Sequence, residues 1–304
     1  MSEYDLLDDQ LASDHCLPNL DVIALSLGEL GLDLLLAGET GSGKDTLAQR
    51  LHRLSGRKGP FVAMNCAAIP ESLCESELFG VVSGAYTGAD RSRVGYIEAA
   101  QGGTLYLDEL DSMPLALQPK LLRVLETRVL ERLGSTVPIP LDICVMASAQ
   151  RPLGELVEQG TFRRDLYFRL NVLTLKLLPL RLQRERIIPM FDRFVQLAVE
   201  ELELVDAKRA DPTMCQVLLN HDWPGNIREL KSAAKRFVLG LPLFDDEPVE
   251  GQASTTALKY QMRLIERVLI QESLKRNQHC IEAVSRELDI PRRTLYHRMK
   301  ELDI

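Results

Sequence analysis

Two short stretches of the chain carry residues that could do phosphate chemistry. Gly38-Glu39-Thr40-Gly41-Ser42-Gly43-Lys44-Asp45 sets glycines ahead of a lysine at phosphate-loop spacing. The glycines let the backbone bend until its N–H groups point inward at an anion, and Lys44 supplies a point charge for the outer phosphates. Further on, Gly103-Thr104-Leu105-Tyr106-Leu107-Asp108-Glu109 ends an apolar run in adjacent carboxylates. Asp108 would hold magnesium, directly or through water, and Glu109 would polarise an attacking water. The bland reading of the first is a glycine-rich turn, which the spacing and the lysine disfavour; the second, standing alone, could as well be a solvated turn or helix cap. In one chain they read as an ATP-hydrolysing site. One position departs from the general pattern: Asp45 stands where a Ser or Thr usually follows the lysine, and Thr46 comes one residue later. The hydroxyl that ordinarily binds magnesium is therefore missing or displaced.

Such residues need a scaffold that brings strand ends together. Leu32–Ala37, Phe61–Met64, Gly103–Leu107 and Leu141–Ala147 read as buried strands, and Asp45–Leu54 and Leu115–Thr127 as amphipathic helices between them. That alternation predicts an α/β fold with a largely parallel sheet, whose C-terminal edge is where ligands bind. After Arg181 the apolar spacing turns helical, in Ile187–Glu203 and Ile227–Leu239. The expected organisation is an acidic tail (1–18), an α/β nucleotide-binding subdomain (19–184), a helical subdomain (185–240), a linker (241–256) and a helical DNA-binding end (257–304). Pro242, Pro248, Gly251 and the acidic run Asp245–Glu247 mark the linker.

The net charge of −8 excludes a protein that coats DNA over its whole surface, so a nucleic-acid contact must be a local patch. No charge-free apolar run approaches the roughly 20 residues of a membrane span. The acidic start (Glu3, Asp5, Asp8, Asp9) is the reverse of a secretory signal. Six cysteines without a C-x-x-C pair fit reduced thiols, and a cytoplasmic location is expected.

A local patch is present at the end of the chain. His279–Leu288 reads as an amphipathic helix, Asp289-Ile290 as a turn, and Pro291 as a helix start. The next helix carries Arg292, Arg293, Thr294, Tyr296, His297, Arg298 and Lys300, with Leu295 and Met299 spaced to face a core. This is helix-turn-helix logic, in which the second helix enters the major groove. The competing reading is a solvated basic helix on an interaction module.

From about residue 19 onward the chain resembles the AAA+ activators known as bacterial enhancer-binding proteins. Its most specific element is Gly84-Ala85-Tyr86-Thr87-Gly88-Ala89, which looks like that family's sigma-54-contacting loop with Tyr in place of the commoner Phe. An aromatic ring among Gly, Ala and Thr is poorly placed for a core and suits a loop that presents one ring to a partner. The resemblance implies a P-loop sheet, a helical lid, a Fis-type helix-turn-helix domain, and ATP with Mg2+. It implies that Asn65 is a polar switch pairing with the catalytic Glu109, and that Arg163 and Arg169 are arginine fingers reaching a neighbouring subunit. Arg228, in Trp223-Pro224-Gly225-Asn226-Ile227-Arg228-Glu229-Leu230, would reach back to the nucleotide; Trp223 itself suits core packing. The competing reading of Arg163 and Arg169 is as surface salt-bridge residues. Two positions depart from the family: Ala149-Gln150 replaces Thr-Asn, and Asp289 replaces the usual turn glycine.

The short tail, Lys44-Asp45, Tyr86 and Pro291-Arg292-Arg293-Thr294-Leu295-Tyr296 are similar to the Hrp-type activators of plant-pathogenic bacteria, nearer the S member of that co-activator pair. The expected partners are sigma-54 RNA polymerase, upstream promoter DNA and further subunits in a ring, a hexamer, either homo-oligomeric or shared with a similar co-activator. Only some 18 residues precede the nucleotide-binding part, so control is expected through abundance, a separate inhibitory protein or a partner subunit. Two rivals stay open: a DNA-binding regulator on a degenerate AAA+ scaffold, and an AAA+ protein remodeller unrelated to transcription.

Overall fold

The computed structural model describes residues 31–86, 91–202, 210–244 and 280–302, with scattered positions at 23–27 and 266–277. The acidic tail 1–18, Thr87, Gly88 and Ala89, and most of the linker lie outside the described residues. The chain divides into two units, 1–179 and 180–304.

The first unit is built on a five-stranded parallel sheet. Its strands are β1 (Leu34–Ala37), β2 (Phe61–Asn65), β3 (Thr104–Asp108), β6 (Cys144–Ala149) and β7 (Thr174–Lys176). Their spatial order is β2-β3-β6-β1-β7, and β4 (Val129–Leu130) and β5 (Ile139–Pro140) form a separate two-stranded ribbon. Interleaved helices are α1 (Lys44–Leu54), α2 (Glu71–Phe79), α3 (Tyr96–Ala99), α4 (Gln118–Thr127), α5 (Leu153–Glu158) and α6 (Arg164–Leu170).

The apolar runs are continuous because a parallel sheet is buried on both faces. The period of two sorts each strand between two cores. Leu35, Leu105, Leu107, Val145 and Ala147 enter one cluster, with Leu121 and Leu125 of α4 and Leu166 and Leu170 of α6. Leu34, Leu36, Tyr106, Cys144 and Met146 enter the other, with Leu47, Ala48 and Leu51 of α1. Each fully buried leucine contributes about 1.5–3 kcal/mol relative to exposure. These packed faces hold the C-terminal ends of β1, β3 and β6 in one row.

The second unit begins with helices α7 (Arg184–Glu201), α8 (Pro212–Asn220) and α9 (Asn226–Val238). Trp223 is fully buried and its indole N–H donates to the Leu218 carbonyl at 2.8 Å, so it is a core residue. Asn226, also buried, accepts the Leu180 N–H at 2.8 Å. The C-terminal helices α10 (Ile281–Glu287) and α11 (Arg292–Glu301) pack about Val284 and Leu295.

Candidate nucleotide and partner sites

The phosphate loop joins β1 to α1. Gly41 (φ 72°) and Gly43 (φ 94°) adopt left-handed backbone, where a side chain would be strained. Gly43 caps α1 without any side-chain hydrogen bond, so the helix's first N–H groups face the loop. The Ser42 hydroxyl is buried without a hydrogen-bond partner. Unpaired helix N–H groups and an orphaned hydroxyl on one loop fit an anionic phosphate. Lys44 is 7% exposed, and its ammonium donates to the carbonyls of Gly38 (2.8 Å) and Glu39 (3.0 Å). Burial lowers its pKa, opposed by the charges of Asp108, Asp45, Asp111 and Glu109.

Across the row, Asp108 is held on three sides. Asn65 donates to its Oδ2 at 3.2 Å, Ser148 to its Oδ1 at 2.5 Å, and the Tyr106 hydroxyl lies 3.4 Å from Oδ1. Tyr106 donates to Asp45 Oδ1 at 2.7 Å, and burial pushes its phenol well above the ordinary tyrosine range, so it stays a donor. One hydroxyl thus brings the Asp45 and Asp108 carboxylates close. Two hard oxygen donors beside the phosphate loop fit a magnesium ion. Thr46, half-buried in the first turn of α1, follows Asp45.

Glu109 adopts left-handed backbone (φ 52°, ψ 47°), an uncommon conformation for a non-glycine residue. Its carboxylate is not on Asn65. In the register of the sheet Asn65 lies opposite Asp108, and the left-handed turn directs Glu109 toward the end of β6. There Gln150 Nε2 donates to Glu109 Oε1 at 2.6 Å, while Asn65 Oδ1 accepts the N–H groups of Ala67 and Ala68. The expected Asn65–Glu109 pair is therefore replaced by an Asn65–Asp108 pair and a Gln150–Glu109 pair.

The two arginines differ. Arg163 is exposed at the start of α6, paired with the exposed Asp165 at 2.7 Å. Arg169 is turned into its own subunit: it pairs with Asp33 at 2.9 Å and donates to the Leu125 carbonyl at 2.8 Å. Asp33 is fully buried at its side chain and is also bound by Arg128 at 2.8 and 2.9 Å. The sequence gives no signal for this triad, because Asp33, Arg128 and Arg169 are far apart along the chain.

The loop after α2 begins on a stem in which Val81 pairs with Arg93 and Leu133. Gly80 and Gly95 cross so closely that a side chain on Gly95 would lie 2.3 Å from the Gly80 nitrogen. Gly84 is left-handed (φ 83°), Ala85 packs toward Gly134, and Tyr86 is 46% exposed. Arg228 is exposed in the first turn of α9.

In the C-terminal pair, Asp289 has φ 51°, the conformation in which glycine is usual. The Ser285 hydroxyl donates to the Ile290 carbonyl at 2.7 Å and closes the turn. Arg292, Arg293, Thr294, Tyr296, His297, Arg298 and Lys300 are all exposed, and Leu295 is fully buried. Arg292 pairs with Glu282 (2.8 Å) and Arg298 with Glu266 (3.3 Å). Among the described residues no helix is long and apolar enough to cross a membrane.

Comparison with known proteins agrees with this arrangement. The Sigma-54 interaction domain family matches residues 15–176, the AAA+ ATPase lid domain residues 181–242, and the Fis family of bacterial regulatory proteins residues 261–302. The chain is 67% identical over 297 residues to the probable pathogenicity-locus regulatory protein HrpS of Pseudomonas savastanoi pv. phaseolicola, covering 98% of each chain. It is 60% identical over 286 residues to the corresponding HrpR of Pseudomonas syringae pv. syringae, covering 93% of this chain and 90% of that one. Among solved structures it is similar to NtrX from Brucella abortus in complex with ADP, with TM-score 0.70 and 27% identity, covering 100% of this chain and 70% of that one. With the parallel-sheet P-loop unit, the lid helices and the Fis-type helix-turn-helix in place, the chain belongs to the sigma-54-dependent AAA+ enhancer-binding activators, of the HrpS type.

Proposed function

We propose that this activator hydrolyses ATP in a ring, homo- or hetero-oligomeric and hexameric, to remodel the closed sigma-54 promoter complex from an upstream DNA site. The observation that carries this reading is the facing of two half-sites. An uncapped helix N-terminus with an orphaned Ser42 hydroxyl lies across the strand ends from Asp108 and Glu109. The loop from Gly38 to Gly43 would cradle the phosphates, and Lys44 would give up its contacts to the loop carbonyls for the outer phosphate oxygens. Asp108, with Asp45, would hold magnesium, which neutralises charge developing on the phosphate oxygens. Glu109 would accept a proton from the attacking water or orient it.

Arg163, exposed at the start of α6, would reach a neighbouring subunit and place positive charge on the transferring phosphoryl group. Arg228 of the lid would close on the same nucleotide. Tyr86 would contact sigma-54, and the exposed basic face of α11 would contact DNA. The resemblance to HrpS and HrpR supports a role in activating type III secretion (hrp) regulatory genes; the chain would act in the cytoplasm, alone or with a similar co-activator in the ring, under control by abundance, a separate inhibitory protein or a partner subunit.

The test is ATP turnover against protein concentration for wild type, Lys44→Ala and Glu109→Ala. Turnover per subunit should rise steeply with concentration in wild type and vanish in both variants while they stay folded. Full turnover by a folded Lys44→Ala protein would refute the site. Absence of turnover in wild type, alone and with its co-activator, would favour a DNA-binding regulator on a degenerate scaffold.

A further inference from the structure

Gln118 opens α4 and is fully buried, yet its side chain ends in a polar amide. Its Nε2 donates to the carbonyls of Met113 at 3.1 Å and Thr161 at 3.2 Å, and its Oε1 accepts the Arg163 N–H at 2.7 Å. Chemistry fixes which end is which, because two carbonyls need the NH2 group and a backbone N–H needs the oxygen. The segments it joins are those of the proposed hydrolysis. Met113 closes the short turn Leu110–Ser112 that follows Glu109. Thr161 and Arg163 flank Phe162, a core residue 3% exposed. The same stretch is tied from α5, where the Leu156 carbonyl accepts the N–H groups of Thr161 and Phe162 at 3.0 and 3.1 Å. Arg163 itself is extended (φ −75°, ψ 135°), and its carbonyl accepts the Tyr167 N–H at 3.1 Å as α6 begins. Both backbone groups of Arg163 are therefore held, the carbonyl by the helix and the N–H by Gln118.

We infer that Gln118 is a positioning residue for Arg163: it sets the point from which the guanidinium projects and ties that point to the segment carrying Glu109 of the same subunit. The inference rests on the reading of Arg163 as acting on a neighbour's nucleotide, and deepens it by naming what holds the arginine in place. An exposed pair such as Arg163–Asp165 is weak, so the tip of the side chain can leave it for a phosphoryl group. The base of the side chain must then be fixed, because a transition state tolerates little misplacement. The helix offers no substitute for Gln118. The Arg163 N–H lies before the first turn of α6 and has no intrahelical acceptor. Without the Gln118 oxygen it turns toward solvent and takes the side chain with it. Because Gln118 acts through Arg163, its loss is felt at the neighbouring subunit's nucleotide and not at its own.

A merely structural role would instead damage the site of the subunit that carries the substitution, and mixing subunits tells the two apart. In the full chain, ATP turnover is measured for Gln118→Met, Arg163→Ala and Glu109→Ala, singly and in mixtures, beside thermal unfolding and affinity for a fluorescent ATP analogue. Gln118→Met keeps the length of the side chain without its amide. Gln118→Asn, an amide one methylene shorter, replaces it if Met does not fold. Turnover of either at saturating ATP should fall about tenfold to a hundredfold, with nucleotide affinity within about twofold of wild type, since an interaction made only in the transition state changes the rate and not the binding. Mixing with Glu109→Ala should restore turnover as far as it does for Arg163→Ala. The Glu109→Ala subunit lends its well-placed arginine to the intact site of the Gln118 variant. Wild-type turnover by a folded Gln118 variant overturns the inference. So does a loss that mixing leaves unrepaired while Arg163→Ala is repaired, or a fall in nucleotide affinity. If Arg163→Ala itself is not repaired, the shared-site reading fails. The Gln118 variants must then still match Arg163→Ala in losing turnover at unchanged affinity, and divergence from it overturns the inference separately.

Discussion

Arg169 offers the sharpest prediction, because the sequence and the geometry assign it different work. If Arg169 reached a neighbour's nucleotide, its removal would cost activity alone. In the structure it shares the buried carboxylate of Asp33 with Arg128 and also donates to the Leu125 carbonyl. Removing one partner of a buried pair generally costs about 3–5 kcal/mol, because a charge is left uncompensated in low dielectric. Here the Arg128 Nη2 still donates to both oxygens of Asp33, and the Val145 N–H still reaches the carboxylate at 3.3 Å. The Arg169 side chain is also 29% exposed, so solvent screens part of the interaction. Arg169→Met, which keeps the apolar stem, should therefore lose about 2 kcal/mol, equivalent to roughly 4–8 °C in Tm for a unit of this size. Arg163→Ala, whose partner is an exposed aspartate, should melt near wild type yet lose ATP turnover. The assay is thermal unfolding beside ATP turnover in mixtures with Glu109→Ala, where one intact interface restores some activity. If Arg169→Met melts like wild type and mixing rescues it as fully as Arg163→Ala, the Asp33 triad is not its role.

Other consequences follow from single contacts. Asp289 sits at φ 51°, so Asp289→Val should destabilise the C-terminal unit by about 1–2 kcal/mol and Asp289→Gly should be neutral or stabilising, as read by thermal unfolding. Burial pushes the thiols of Cys66 and Cys144 up to about 12, whereas Cys280 is exposed; among the described cysteines, brief alkylation of native protein at pH 8, mapped by mass spectrometry, should modify Cys280 first. Removing residues 257–304 should abolish specific DNA binding and leave ATP turnover largely intact, and DNA affinity of the full chain should fall steeply with salt. A truncated chain that protects the same DNA site in footprinting would contradict the assignment of α11.

Much of this was legible in the residues because local signals sufficed. The phosphate loop needs glycines and a lysine within one turn, and β3 announces itself by an apolar run closed by two carboxylates. What was missed depends on distance along the chain. β7 is only Thr174–Lys176, too short for its alternation to register, and it exists because β1 offers it an edge. α2 has its apolar residues spread around its circumference, so no stripe marks Glu71–Phe79 as a helix. The partners of Asn65 and Glu109 follow from register and from one left-handed residue, neither of which a linear pattern encodes. Gln150 was legible only as a departure from the family; its link between Thr40 and Glu109 needed three strand ends in one row.

In the proposed function, ATP hydrolysis is delivered to sigma-54 polymerase through the ring of Tyr86. The direct measurement is open-complex formation at a sigma-54 promoter by wild type, Tyr86→Ala and Tyr86→Phe, beside ATP turnover and DNA binding by the same preparations. Tyr86 is 46% exposed, so its loss should spare the fold, while loss of an aromatic anchor typically removes about 2 kcal/mol of binding, roughly 30-fold in affinity. Tyr86→Ala should fail to open the promoter with turnover and DNA binding near wild type, and Tyr86→Phe should open it. Promoter opening by Tyr86→Ala at the wild-type rate, or opening by wild type without a hydrolysable nucleotide, would contradict the account.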